Sequence, residues 1–318
     1  MNRLIIGAVT ALSLGLTTMT YGQHTNFNTQ RNWSLNKKEV IFGVGLSQFL
    51  GDLGGKDLIG KDYSMRDMDW PSTHFGGMVG FRYRFHPYWA TTTSLYGGML
   101  KGSDSHTNEI IRNSRNLHFR SIALELSQRI EFIVLANEKF GARLKIKGLK
   151  HAKTRNEQVY LFAGIGAMYY NPQARYQGQW TNLRPLKTEG QGLTNGPKPY
   201  GFVTATIPMG IGLRMGIGEM WRMGIEATYI KTFSDYIDDV GGSYYDPAIL
   251  ASEVGQESAF LSNPSYKNTT WFAPGEQRGD KQKDAYFTLN VVFYKNITYK
   301  NYNSSRNKSG FKGGRYKF

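Results

Sequence analysis

Residues 75–89 read FGGMVGFRYRFHPYW. Phe75, Gly77, Val79, Phe81, Tyr83 and Phe85 take every second position, and Gly76, Met78, Gly80, Arg82, Arg84 and His86 fall between them. Successive side chains in a strand point to opposite faces, so one face is apolar and aromatic while the other carries two arginines. A strand of a transmembrane barrel accommodates both, with the aromatic face against lipid and the arginines in the lumen.

The same alternation recurs along the chain. EVIFGVGLSQF sets Val40, Phe42, Val44 and Leu46 against Ile41, Gly43, Gly45 and Ser47. WATTTSLYGGML places Trp89, Thr91, Thr93, Leu95 and Met99 on one face. In RSIALELSQRIEF, Ile122, Leu124, Leu126, Ile130 and Phe132 oppose Ser121, Ala123, Glu125, Ser127, Arg129 and Glu131. The segments starting at Val159, Tyr200, Trp221 and Ala285 repeat the pattern. Eight strands of about 9–11 residues or more are predicted, each long enough to cross a bilayer when tilted. Connections after strands two and six are short, and those after one, three, five and seven are long. That asymmetry is the outer-membrane pattern, with short turns and both termini in the periplasm. The long 135–158 connection breaks it. The fold class expected is all-β, a transmembrane outer-membrane β-barrel of about eight antiparallel strands with long extracellular loops.

Composition agrees. The 318 residues include 37 Gly, 20 Tyr and 18 Phe, an enrichment that favours strands over helices. After the first 20 or so residues no apolar run is long enough for a spanning helix. MNRLIIGAVTALSLGLTTMTYGQ carries Arg3, an apolar run from Leu4 to Leu16, and small residues Thr20 and Gly22 before Gln23. It reads as a secretory signal peptide over 1–22. A periplasmic segment over 23–38, a barrel over 39–298 and a basic tail over 299–318 follow. The chain has no cysteine, which excludes disulfides and thiol redox chemistry.

By the alternation, Arg82, Arg84, Glu125, Arg129, Glu131, Arg214, Arg222 and Glu226 point into the lumen. An eight-stranded barrel is just wide enough to be filled by side chains, so opposite charges are expected to pair across it. The alternative is a soluble β-sandwich or lipocalin-like barrel with its apolar face inward. Aromatic strand ends at Trp89, Tyr169, Tyr170, Trp221, Tyr229 and Tyr294 favour membrane girdles instead.

Chemistry-bearing motifs are sparse. His24, His74, His86, His106, His118 and His151 show no metal-pair spacing. A lipid-cutting centre would have to draw on Ser72, Ser105, His74, His106 and His118, and no nucleophile motif frames them. Acidic runs at Asp62, Asp67 and Asp69, and at Asp235, Asp238, Asp239 and Asp246, do not match a calcium-loop spacing and read as solvated loops. No catalytic residue, metal site or cofactor is assigned.

The formal net charge is +15 and unevenly placed. Arg143, Lys145, Lys147, Lys150, Lys153 and Arg155 crowd the 135–158 connection, and the tail from Lys300 onward is basic without an acid. Both lie on the predicted periplasmic side, which points to an acidic or polymeric partner there. The exported compartment argues against nucleic acid.

FLGDLGG (49–55), YNPQARYQGQWTNLRPLKTEGQG (170–192) and SDYIDDVGGSYYD (234–246) resemble the PorG-like outer-membrane barrels of the Bacteroidetes type IX secretion and gliding machinery. The resemblance covers nearly the whole mature chain. It implies a non-enzymatic barrel that associates with the periplasmic ring of a lipoprotein and its partner (PorK and PorN), with no catalytic residues. The basic connection and tail are then candidates for the ring-facing surface. Beside this stand the readings of a passive pore or a lipid-modifying enzyme, although eight strands leave no wide channel.

Overall fold

The computed structural model describes residues 37–53, 70–107, 109–136, 157–217, 221–280 and 282–297. Nine strands follow one another: β1 (Lys38–Leu50), β2 (His74–Arg84), β3 (Trp89–Ser103), β4 (His118–Ala136), β5 (Gln158–Tyr176), β6 (Gln179–Asn182), β7 (Val203–Gly216), β8 (Trp221–Thr232) and β9 (Ala285–Asn296). All pairings are antiparallel, in the order β4-β3-β2-β1-β9-β8-β7-β5, and β4 pairs with β5 to close the ring. The result is a closed barrel of eight strands. The extra strand, β6, is a four-residue hairpin return on the end of β5.

Closure answers a backbone requirement. In hydrocarbon an unpaired N–H or C=O has no water to turn to, and only a sheet without edges satisfies all of them. The 85–88 turn is tied by reciprocal His86 and Trp89 backbone bonds of 3.2 Å, and Ile217 N donates to Trp221 O at 3.0 Å. These tight turns and the ends of β1 and β9 share one end of the barrel. The described long connections, after β3, β5 and β8, gather at the other. There a short helix α1 (Ile110–Arg115) follows β3, and two helices, α2 (Pro247–Glu253) and α3 (Gln256–Ser262), lie between β8 and β9. No helix among the described residues is long and apolar enough to cross a membrane.

The outer wall is apolar. Phe42, Val44, Phe75, Val79, Phe81, Leu95, Ile122, Leu124, Leu126, Ile130, Leu161, Ile165, Ile211 and Ile225 all stand exposed. An exposed apolar band running around a soluble molecule would be untenable. Against lipid it is the stabilising face, so the strands span a membrane. Polar residues on this wall satisfy one another: Thr93 Oγ1 donates to Gln128 Oε1 at 2.5 Å, and Gln128 Nε2 donates to Thr91 Oγ1.

The inner wall alternates large and small. A Cβ on Gly212 would fall 2.1 Å from Tyr160 Cζ, and one on Gly76 2.1 Å from the Tyr96 hydroxyl oxygen. The glycines make room for inward tyrosine rings, which is how a narrow barrel is filled. Two of the aromatics assigned to the girdle are corrected by this. Tyr170 and Tyr294 are 1% and 0% exposed and point inward. Tyr294 has the parity of buried Tyr286, and Tyr170 that of Met168, so side-chain alternation outranks position at a strand end.

Leu126 lies mid-wall between Leu95 and Ala167. Leu126→Arg is expected to cost about 2–4 kcal/mol of unfolding free energy in vesicles, measured by denaturant titration, and Phe81→Arg, nearer the short turns, less.

Candidate functional site in the lumen and the cap

The end of the lumen near the short turns is closed by charge. Arg82 donates to Glu39 at 2.8 Å and to Glu131 at 2.7 Å. Arg214 reaches Glu131 at 2.5 Å, and Arg222 pairs with Glu39 and bonds Gln158 at 3.1 Å. Arg129 pairs with Glu226 at 3.0 Å. Glu226 also accepts from the Tyr160 and Tyr294 hydroxyls at 2.6 and 2.7 Å, and Glu131 from Thr92 at 2.6 Å. The Arg214 guanidinium stacks 3.7 Å over the Tyr160 ring, and Arg129 sits 4.5 Å over Phe162. Planar guanidinium groups offer several donors and a stackable face, so they suit such a layer better than lysine.

Register explains the meeting. Glu39 is directly opposite Arg82 across β1 and β2, and Arg222 opposite Tyr294 across β8 and β9. All eight charged residues that the sequence places in the lumen are buried in this structure: Arg82, Arg84, Glu125, Arg129, Glu131, Arg214, Arg222 and Glu226. Arg84 Nη2 donates to Pro87 O at 2.5 Å, sealing the 85–88 turn. Glu125 lies higher and accepts from Tyr286. Beside it is a cavity of only about 30 Å³. Sequence reasoning omitted Glu39, although it shares the inward parity of Ile41, because a residue at a strand start reads equally as part of the preceding loop.

Beyond the lumen the long connections pack into a cap. Arg278 is its hub, donating to Glu189 at 2.9 Å, to Asp239 O at 2.6 Å and to Ser262 O at 3.2 Å. Asp239 accepts from Thr188 and, at 2.5 Å, from the Tyr200 hydroxyl. Tyr200 stacks between Tyr170 and Tyr236, with centroids 6.3 and 4.8 Å apart. Arg115 pairs with Asp104 at 2.8 Å and donates to Asp52 O and Arg278 O. The 49–53, 170–192 and 234–246 stretches thus converge on one cap core. Nothing local marks Arg115, at the end of α1, or Arg278, in a connection, as a hub, so neither was legible in sequence.

The acidic run is not solvated. Asp235, Asp238 and Asp239 are buried. Nor do these residues form one ligand set with Asp246, whose carboxylate caps α2 by accepting from Ala248 N at 2.8 Å. Among the described residues no group of three His, Asp or Glu side chains could hold a metal ion. Of the candidate lipid-cutting residues, Ser72, His74 and His106 come together, with His74 Nδ1 3.3 Å from Ser72 O, while Ser105 and His118 are engaged elsewhere. Ser72 Oγ lies 3.5 Å from His106 Nδ1, Ser105 pairs with Ser103, and His118 Nε2 accepts from Arg175 N at 2.9 Å. A cleft of about 730 Å³ opens at the cap surface, lined by residues including Asn195, Tyr245, Asp246 and Glu253.

Several sequence assignments fall outside the described residues: the signal peptide, the tail, Asp62, Asp67, Asp69, His24, His151 and the basic cluster Arg143, Lys145, Lys147, Lys150, Lys153 and Arg155.

No family model and no curated protein matches the chain. Among solved structures it is similar to Neisserial surface protein A, at 5% identity, covering 82% of this chain and 97% of that one with a TM-score of 0.35. It is similar to Ail, the attachment invasion locus protein of Yersinia pestis, at 10% identity, 81% and 99% coverage and a TM-score of 0.33. The N-terminal β-barrel domain of Pseudomonas aeruginosa OprF follows at 9%, 81% and 98%, and 0.28. The fold assignment rests on the closed strand register, not on these likenesses.

Removing the carboxylate from Glu131 strands Arg214 in a buried layer and leaves Arg82 with Glu39 alone. Glu131→Gln is expected to lose about 3–5 kcal/mol in denaturant titration, and adding Arg214→Met to recover part of it.

Cap stability should depend on pH. Burial, then neighbouring Asp280, raises the Asp52 carboxyl to about 7, and burial raises Asp235 to about 7, from an ordinary 3.8. Burial also pushes Asp238 and Asp284 well up. Between the two values the folded cap binds more protons than the unfolded chain, so its stability falls as pH rises. Hydrogen exchange of the 233–284 connection, corrected for intrinsic rates, should show more opening at about pH 8 than at about pH 5, and Asp284→Asn should flatten the difference.

Proposed function

We propose that the protein is a non-enzymatic outer-membrane barrel of the type IX secretion machinery that docks a periplasmic ring of the PorK/PorN kind. The cap end then faces outside, and the short turns and both termini face the periplasm. One observation carries the reading: the lumen is closed by the Arg82–Glu131–Arg214 and Arg129–Glu226 layer. A barrel so filled has no conduit for a polypeptide, and the same layer argues against a passive pore. Such a protein acts through its surfaces. The three stretches that resemble the family pack against each other in the cap, so they are accounted for by cap folding. The ring-facing role is left to the basic 143–155 cluster and the tail.

The test is purification of the tagged protein from gently solubilised outer membranes, with identification of what accompanies it. A periplasmic lipoprotein and its ring partner should be recovered. Replacing Lys145, Lys147, Lys150, Lys153 and Arg155 with Ser should leave the heat-dependent gel shift of a folded barrel intact. It should lower ring recovery and secretion and leave the residual association more salt-sensitive. Unchanged ring recovery and secretion in that variant and in a chain truncated after Tyr299 would remove this surface from the reading. Absence of any ring protein from the wild-type purification would overturn the reading itself.

A further inference from the structure

On one side of the barrel the outer wall changes character within a single row. Met99, Ile122 and Asn171 stand in register across β3, β4 and β5, and the next outward row is Lys101, Arg120 and Gln173. Two residues along a strand advance about 6–7 Å, so these cations sit immediately beyond the apolar belt. Arg175, on the following outward position of β5, joins them by way of β6. The Trp180 indole carries both guanidinium groups, with Arg120 Cζ 4.1 Å and Arg175 Cζ 5.0 Å from its centroid. Arg120 Nε donates to Gln173 Oε1 at 2.9 Å, which fixes the fork. The His118 ring lies edge-on to Trp180 at 6.3 Å.

Three cations on adjacent strands repel one another, yet no described carboxylate pairs with Lys101, Arg120 or Arg175. Among the other cap arginines, Arg112, Arg115 and Arg278 each have a carboxylate partner, while Arg184 donates to Tyr200 O and stacks over Phe202. Among the described residues the ledge has no counter-charge, and an anion from outside the chain would supply one. Its chemistry follows from the donors, because forked guanidiniums beside an ammonium match phosphate oxygens. Its source follows from position. The ledge is on the lateral wall, just beyond the residues that touch acyl chains, with an interfacial tryptophan at the same level. A lipid in that leaflet meets the ledge with its headgroup while its chains lie on Leu95, Ile122 and Leu124. A soluble anion has no such second attachment.

We infer that Lys101, Arg120, Arg175 and Trp180 form a binding ledge for the phosphate of a lipid headgroup, that of the phosphorylated glycolipid in the leaflet on the cap side. The inference rests on the spanning barrel and the orientation proposed above, and is independent of any ring partner.

The experiment is native mass spectrometry of the protein purified from outer membranes into mild detergent, titrated with diphosphorylated lipid A. A one-to-one complex is expected, bound at least about tenfold more tightly than the same lipid stripped of phosphate. The Lys101→Ser, Arg120→Ser, Arg175→Ser triple variant should bind at least about tenfold more weakly while keeping its heat-dependent gel shift. Lys231→Gln, on the far wall, should not change binding, and excess orthophosphate should not displace the lipid. If the triple variant does not fold, Arg175→Gln, at an exposed site, should still weaken binding by about threefold. Equal binding of the stripped lipid, undiminished binding by the folded variants, or displacement by orthophosphate would overturn the inference. Release of the wild-type protein from membranes without detergent would instead sink the spanning reading on which it rests.

Discussion

The closure of β4 onto β5 is the constraint from which the rest follows. Strands in hydrocarbon must pair on both edges, and eight of them close into a tube too narrow to hold much water. Every inward side chain must then fit against those of the facing strands. Glycine beside tyrosine is one solution, seen where Gly212 admits Tyr160. Charge beside opposite charge is the other. The polar lumen and the apolar wall are two faces of one alternating pattern, and a register slip of one residue would exchange them.

The arginine–glutamate layer would be a poor source of stability on Coulomb energy alone, since burying ions costs several kcal/mol each. It gains from convergence. Glu131 serves Arg82, Arg214 and Thr92 together, and Glu226 serves Arg129, Tyr160 and Tyr294. Charge-assisted bonds shared this way fix the relative height of β2, β4, β7 and β8, because each partner comes from a different strand. A shifted register would leave charges unpaired in the lumen, which disfavours the alternatives more than it favours the native state. The same layer blocks passage, so stability and the absence of a conduit have one cause.

The cap shows a different economy. Arg278 and Arg115 tie three connections through backbone carbonyls and carboxylates, while half-buried Asp52 and buried Asp238 and Asp284 lie nearby with raised affinity for protons. Carboxylates gathered with so few cations make this part of the molecule sensitive to conditions in a way the barrel is not. Below it, the Lys101–Arg120–Arg175 ledge faces sideways rather than up, so cap and ledge address different surroundings.

The alternation of FGGMVGFRYRF and its seven companions by itself determined the eight spanning strands, the lipid-facing set and the inward placement of Arg82, Arg129, Glu131, Arg214, Arg222 and Glu226. A period of two is a local property, and a membrane enforces it without help from distant residues. Which inward charges meet was not legible. Glu39 pairs with Arg82 on the neighbouring strand and with Arg222 from β8, contacts set by closure and stagger. Nor were Tyr170 and Tyr294 as inward residues, the buried Asp235, Asp238 and Asp239, or the arginine hubs of the cap. Loop segments carry no periodicity, so burial there depends on partners far away in sequence: Arg115 meets Arg278 across 163 residues. Local pattern specifies which way a side chain points, and only the closed tertiary structure decides what it finds there.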